Sequence, residues 1–141
     1  MRFARLSTVL ETVQNTRLHK EWQLFTWHPT GILDDDLADE MLDVLELEEL
    51  SDGQQFDRYT DFTQLTTIRL KIGHVFRIAD RRRDAPIVRK SAFFADTVVG
   101  FGVARLYESL MEDACLDVRA FSKREAAADW LGVPSEVLLP H

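Results

Sequence analysis

A hydrolytic or group-transfer site needs a nucleophile, a base and an orienting group within mutual reach. The sequence offers few of each. Its histidines are His19, His28, His74 and His141, and its one cysteine is Cys115. No histidine neighbours Cys115 in sequence, and no two histidines stand at the i, i+4 spacing of a zinc-binding helix. Cys115 alone excludes an internal disulfide and a four-thiolate metal site. It reads as a packed thiol ahead of a strand, since cysteine is among the most buried residue types. A chain with a single cysteine fits a reducing cytoplasm. The expectation is therefore a protein without catalytic residues, metal or cofactor.

The charged and glycine-rich stretches have structural explanations of their own. Asp34-Asp35-Asp36 supplies oxygen ligands but lacks the glycine and distal glutamate of a calcium loop. Carboxylates opening a helix meet free amide groups and the positive end of its dipole. Glu46, Glu48 and Glu49 read as a solvated face. Gly100-Phe101-Gly102 has two of the three glycines of a dinucleotide fingerprint, with Arg105 in the third place. It also lies at a third helix, not after a first strand, so small residues there point to close packing. Arg81-Arg82-Arg83 falls in the last turn of a helix, where cations meet free carbonyls. Asp61 ends a strand at the carboxyl edge, where open α/β sheets place binding crevices. A turn-forming aspartate bonded to local amides is the competing account. Trp130 and Leu131 read as core.

The chain has 141 residues, 45% hydrophobic and 29% charged, with a net charge of −7. That is the size of one domain, large enough to bury a core without staples. The acidic balance repels nucleic-acid backbones and anionic surfaces, and a single arginine run is a small basic footprint. No apolar run approaches the roughly 18 residues of a membrane span, and residues 1–7 lack the apolar core of a secretory signal. No nucleic acid and no membrane insertion are expected.

The elements follow from periodicity. Residues 8–13 and 22–27 are β-type, with a turn at Gln14-Asn15, so a hairpin opens the chain. Leu33, Leu37, Met41, Val44 and Leu45 form a helical stripe that Ser51-Asp52-Gly53 ends. Residues 55–61 are a strand. Ile68, Ile72, Val75, Phe76 and Ala79 form a second helical stripe. Residues 87–94 are a strand, and a helix follows Asp96 with Val99, Val103, Leu106, Tyr107 and Leu110 in register. Residues 116–121 are the last strand. Ser122-Lys123-Arg124-Glu125 fits a capping box, and Gly132 and Pro134 close the final helix. This order predicts an α/β fold: a mixed, mostly parallel sheet with an N-terminal hairpin and four helices.

Four segments carry a resemblance. Phe56-Asp57-Arg58-Tyr59-Thr60-Asp61-Phe62-Thr63, Lys90-Ser91-Ala92-Phe93-Phe94, Gly100 through Glu108, and Val118-Arg119-Ala120-Phe121 with Glu125 through Gly132 are similar, in that order, to motifs of the small bacterial STAS-like (STAS/SEC14-like) proteins. These are related in fold to the anti-sigma-factor antagonists. The resemblance covers about residues 20–133. It implies one STAS-like domain over residues 1–141, with residues 1–6 and 135–141 as flexible termini, and a function of binding other proteins, sometimes under phosphorylation control. The phosphorylatable serine of the antagonists has no counterpart. The matching stretch, Thr67-Ile68-Arg69-Leu70-Lys71-Ile72, has no serine, and Thr66 and Thr67 read as helix caps.

Two functions are carried forward. One is a regulatory module that binds a partner protein through Asp61, Thr63, Thr66 and Thr67, with a homodimer as a further expectation. The alternative is a carrier of a small or lipid-like ligand, with Arg105 and Tyr107 at the pocket mouth. The competing account of Arg105 is a surface salt bridge with Glu108 or Asp129.

Overall fold

Five strands make the central sheet of the computed structural model, which describes residues 13–50 and 55–140. Strands β1 (Thr16–His19) and β2 (Leu24–Trp27) form an antiparallel hairpin, with Thr16 opposite Trp27 and His19 opposite Leu24. Strands β4 (Asp57–Asp61), β6 (Lys90–Phe94) and β7 (Asp117–Phe121) then add in parallel, giving the order β1-β2-β4-β6-β7. A separate parallel pair joins β3 (Gly31–Asp34) to β5 (Leu65–Arg69). The helices are α1 (Asp35–Leu50), α2 (Ile72–Arg83), α3 (Val98–Leu110) and α4 (Arg124–Leu131).

The expected fold class holds: a mixed, mostly parallel sheet with an opening hairpin and four helices. The hairpin turn, however, is a 3₁₀ turn at Lys20–Trp22 closed by Gln23 in the left-handed region (φ 49°). Asn15 is also left-handed (φ 66°), but it marks the entry to β1, and its carbonyl accepts from His28 N at 2.9 Å. Residues 8–12 of the expected first strand lie outside the described residues, as do residues 1–6 and the helix stop at 51–53.

Two strands were hidden inside helical stripes. Leu33 belongs to β3, and α1 begins only at Asp35. Ile68 belongs to β5, and α2 begins at Ile72. Buried apolar residues three or four apart read as a helix even when a strand supplies the first of them. In consequence Thr66 and Thr67 are strand residues and cap no helix. The cap of α2 is Lys71, without a side-chain bond.

Helix ends elsewhere follow the residues. Asp34 Oδ1 accepts from Leu37 N at 2.9 Å, capping α1, and Thr97 Oγ1 accepts from Gly100 N at 3.1 Å, capping α3. Gly132 ends α4 in the left-handed region (φ 76°), its N–H donating to Ala128 O at 2.8 Å. The expected capping box of α4 does not form. The helix starts at Arg124 with Lys123 as its cap, so Ser122 and Glu125 are out of step with the box.

Alternation along β4 divides the core. Arg58 and Thr60 face α1, α2 and α3, with Phe25, Trp27 and Phe93. Tyr59 faces α4, with Leu24, Ala92, Phe94, Ala127 and Leu131. The C-terminal 3₁₀ turn Ser135–Leu138 closes that second layer: Leu138 is buried there with Tyr59 and Val137 packs partly against it, so this part of the expected flexible terminus is anchored through Leu138.

Candidate functional site

Strand β4 carries ionic groups into both layers, and each is held differently. On the α4 side, Asp61 is fully buried. Its Oδ2 accepts from Tyr59 Oη at 2.6 Å and Arg124 Nη2 at 3.1 Å, and its Oδ1 accepts from Thr63 N at 2.9 Å and Thr63 Oγ1 at 2.5 Å. His28 Nε2, which donates to Leu138 O at 2.8 Å, stands 3.9 Å from the same carboxylate. Burial alone would raise the Asp61 carboxyl, but the Thr63, Tyr59 and Arg124 donors outweigh it and hold it below the usual carboxylate range. Burial and the adjacent Asp61 charge push the Tyr59 hydroxyl far up. Arg124 is raised because its bonds to Tyr59 and Asp61 outweigh burial.

On the three-helix side, Arg58 Nη2 donates to Glu48 Oε2 at 3.3 Å and Glu49 Oε2 at 2.6 Å. Arg82 Nη1 donates to Glu49 Oε1 at 2.8 Å, and its Nη2 bonds Glu49 Oε2. Arg81 joins α1 farther out, through Glu46 and Asp43. Burial raises Glu48 and lowers Arg58, because each is taken out of water. Arg82 stays raised because Glu49 outweighs its burial. Burial also pushes the Tyr107 hydroxyl up to about 12. The glutamate cluster is therefore not a solvated face: Glu48 is buried and Glu49 nearly so.

The expected site residues are dispersed. Asp61 lies beneath the surface as the acceptor of a turn, and Thr63 is its half-buried donor. Thr66 and Thr67 are exposed on β5, Thr66 Oγ1 donating to Gly31 O at 3.0 Å. Arg105 is an exposed partner of Glu108 Oε1 at 2.7 Å. Tyr107, two residues on and hence on another side of the helix, lines an interior cavity with Arg58 and Arg82. Cys115 is exposed, not packed, because β7 starts two residues later and Leu116 takes the inward place. Trp130 is half-buried against Phe121, with Lys90 Nζ 5.4 Å and Arg119 Cζ 4.9 Å from its ring.

The Arg58–Glu48–Glu49–Arg82 cluster was missed, although its signal is present. Glu48 continues the α1 stripe of Met41 and Val44, and Arg82 continues the α2 stripe of Val75 and Ala79. A charge on an apolar stripe needs a partner on the facing stripe.

At the surface, β5 approaches the start of α3, and α2, which follows β5 in the chain, packs against α3. A methyl group on Gly100 would lie 3.5 Å from Ile68 Cδ1, which shows how closely α3 approaches β5. Large apolar side chains stand out here: Val98 is 91% exposed, Val99 63%, Ile72 69% and Phe76 46%. Arg69, Lys71 and Arg77 are exposed on the same elements, and no ion pair holds them among the described residues. Among the described residues, no three His, Cys, Asp or Glu side chains gather as a metal site. No described helix is long and apolar enough to cross a membrane.

The hairpin, the parallel strands and the four helices define a SpoIIAA-like, that is STAS-like, α/β fold. A solved structure with this fold is that of an uncharacterized protein of the DUF3478 family from Shewanella loihica PV-4. It matches 77% of this chain and 83% of its own, with a TM-score of 0.50 and 14% identity. At that identity the likeness concerns the fold. No protein-family model and no curated protein matches the sequence.

Proposed function

We propose that the chain is a non-catalytic, cytoplasmic protein-binding module whose partner is an acidic protein. The observation that carries this reading is the exposure of Ile72 and Phe76 on α2 and of Val98 and Val99 on α3, with the exposed cations Arg69 on β5, Lys71 at the cap of α2 and Arg77 on α2. An exposed apolar patch on a charged domain marks an interaction site. Uncommitted cations around it, on a chain of net charge −7, select a partner of opposite sign and speed its encounter. Thr66 and Thr67 are exposed on β5, the strand that leads into α2, and are offered as hydroxyl-bearing contacts. Asp61 and Thr63 lie below and hold the turn that presents β5. The buried ionic groups support the non-catalytic reading, since each has a structural role.

The test compares wild type with Val99→Glu and Lys71→Glu variants as immobilised baits, and then with the recovered protein purified. An acidic protein retained by wild type, lost from both variants and released as ionic strength rises is the expected result. Equal retention by all three, a partner that proves to be the chain itself, or binding only to anionic vesicles would overturn the reading.

A second reading, a carrier of a small ligand, is supported by the interior cavity beside Arg58. Tyr107 belongs to that space and Arg105 does not.

A further inference from the structure

A cavity of about 100 Å³ lies between the central sheet and helices α1, α2 and α3. Small residues border it from two helices, Ala38 on α1 and Ala104 on α3, where longer side chains would fill the space. Trp27, Met41, Val75 and Phe93 are among its apolar walls. Arg58, Thr60, Ser91 and Tyr107 border it too, yet the surface it presents is almost wholly apolar. The guanidinium groups are turned to other partners: Arg58 and Arg82 bond Glu48 and Glu49. Arg58 Nε and Nη1 are buried with essentially no accessible surface. The cavity therefore offers almost no donor or acceptor to a molecule that enters it.

Wall chemistry and size narrow the occupant. Water does not suit the space, because a buried water needs about two to four polar partners. Left empty, the cavity forfeits dispersion contacts along its lining, and an apolar molecule restores them. A molecule with a carbonyl or hydroxyl group would give up its hydrogen bonds to water and gain none, and a charged one would lose more. An apolar cavity of about 150 Å³ stays dry and takes benzene. This one has about two-thirds of that volume, so it suits something smaller than the ring. We infer that the cavity is a binding site for a small, wholly apolar molecule, an alkane or alkene of about three to five carbons, held by shape and dispersion without a hydrogen bond. This rests on the second reading above and gives it a ligand class.

The experiment is methyl-region NMR of the wild-type protein under xenon, followed by displacement with isobutene and with acetone. These two probes have nearly the same shape and differ by one polar oxygen. The expected result is saturable xenon-induced shifts at the methyl groups of Met41, Val75 and Ala104. Isobutene should reverse them at a concentration at least about tenfold below that at which acetone acts, because the acetone carbonyl is buried without a partner. An Ala104→Leu variant, which fills the space from α3, should abolish the shifts. No saturable shift with xenon or isobutene would overturn both the carrier reading and the ligand class. Displacement by acetone and isobutene at the same concentration would leave a carrier but refute a wholly apolar ligand. Shifts confined to the exposed methyl groups of Ile72, Val98 and Val99 would put apolar uptake at the surface, and shifts that persist in a folded Ala104→Leu protein would put it elsewhere; either result overturns the site. If that variant does not fold, the map of shifts on wild type decides alone.

Discussion

Tyr59 and Asp61, two residues apart on β4, share one face of the sheet, and the Tyr59 hydroxyl donates to Asp61 Oδ2 at 2.6 Å. A strand puts residues i and i+2 on one side, so the tyrosine that fills the α4 layer also anchors the carboxylate that organises the following turn. Replacing Asp61 by Ala leaves Tyr59, Thr63 and Arg124 donors unmet. Denaturant unfolding should show a loss of about 3 kcal/mol. The pH dependence has a definite sign. Asp61 is held below its ordinary value, so its stabilisation is complete above the unfolded carboxyl value of about 4 and is lost as pH falls through the folded one. Wild type should therefore lose more stability than Asp61→Asn as pH falls below about 4.

Glu48 has the opposite sign. Burial raises its carboxyl, so its contribution grows more favourable as pH falls toward its unfolded value of about 4.3. Replacing Glu48 by Gln keeps an oxygen for Arg58 and removes a buried charge. Chemical denaturation at pH 7 should change by about 1 kcal/mol or less. Relative to this variant, wild type should gain stability on acidification toward pH 4 to 5.

Arg82 and Glu49 tie α2 to α1 across a buried contact. Arg82→Leu alone should destabilise by about 3–5 kcal/mol, because it leaves Glu49 with Arg58 as its only buried counter-charge. The double change Arg82→Leu with Glu49→Leu should cost clearly less than the sum of the single changes. An additive result in a double-mutant cycle would show that the two side chains are energetically independent.

Two glycines are constrained for different reasons. At Gly132 a side chain would meet nothing within 4 Å, but φ is 76°, so Gly132→Ala should cost about 1 kcal/mol through backbone strain alone. At Gly100 the backbone is helical, and an added Cβ would sit 3.0 Å from Thr97 Oγ1 and 3.1 Å from Ala95 Cβ. Gly100→Ala should cost about 1–3 kcal/mol by crowding the α3 cap. Thermal unfolding of both variants measures the difference.

The fold was legible where local chemistry and tertiary burial agree. Asp34 caps α1, Gly132 ends α4, and the parallel order follows from alternating helices and strands. It was obscured where burial imitates periodicity: Leu33 and Ile68 complete helical stripes while belonging to β3 and β5. The site was less legible because charges paired across elements carry no mark in a linear reading. Glu48 and Arg82 stand on apolar stripes, yet only the packing of α1 against α2 shows that they answer each other through Glu49. Val99 was read into the apolar stripe of α3 and is instead exposed, since a valine's type does not reveal which side of the helix meets solvent.

The setting of Trp130 has an optical consequence. Its indole lies against Phe121 with a lysine and an arginine close to the ring, so its emission must depend on α4 and β7 keeping station. Trp22 and Trp27, the chain's other indoles, sit in the hairpin at the opposite edge of the sheet. Variants that keep only Trp130, or only Trp22 and Trp27, thus sample the two margins of the domain separately, and their intrinsic fluorescence reveals which margin loosens first.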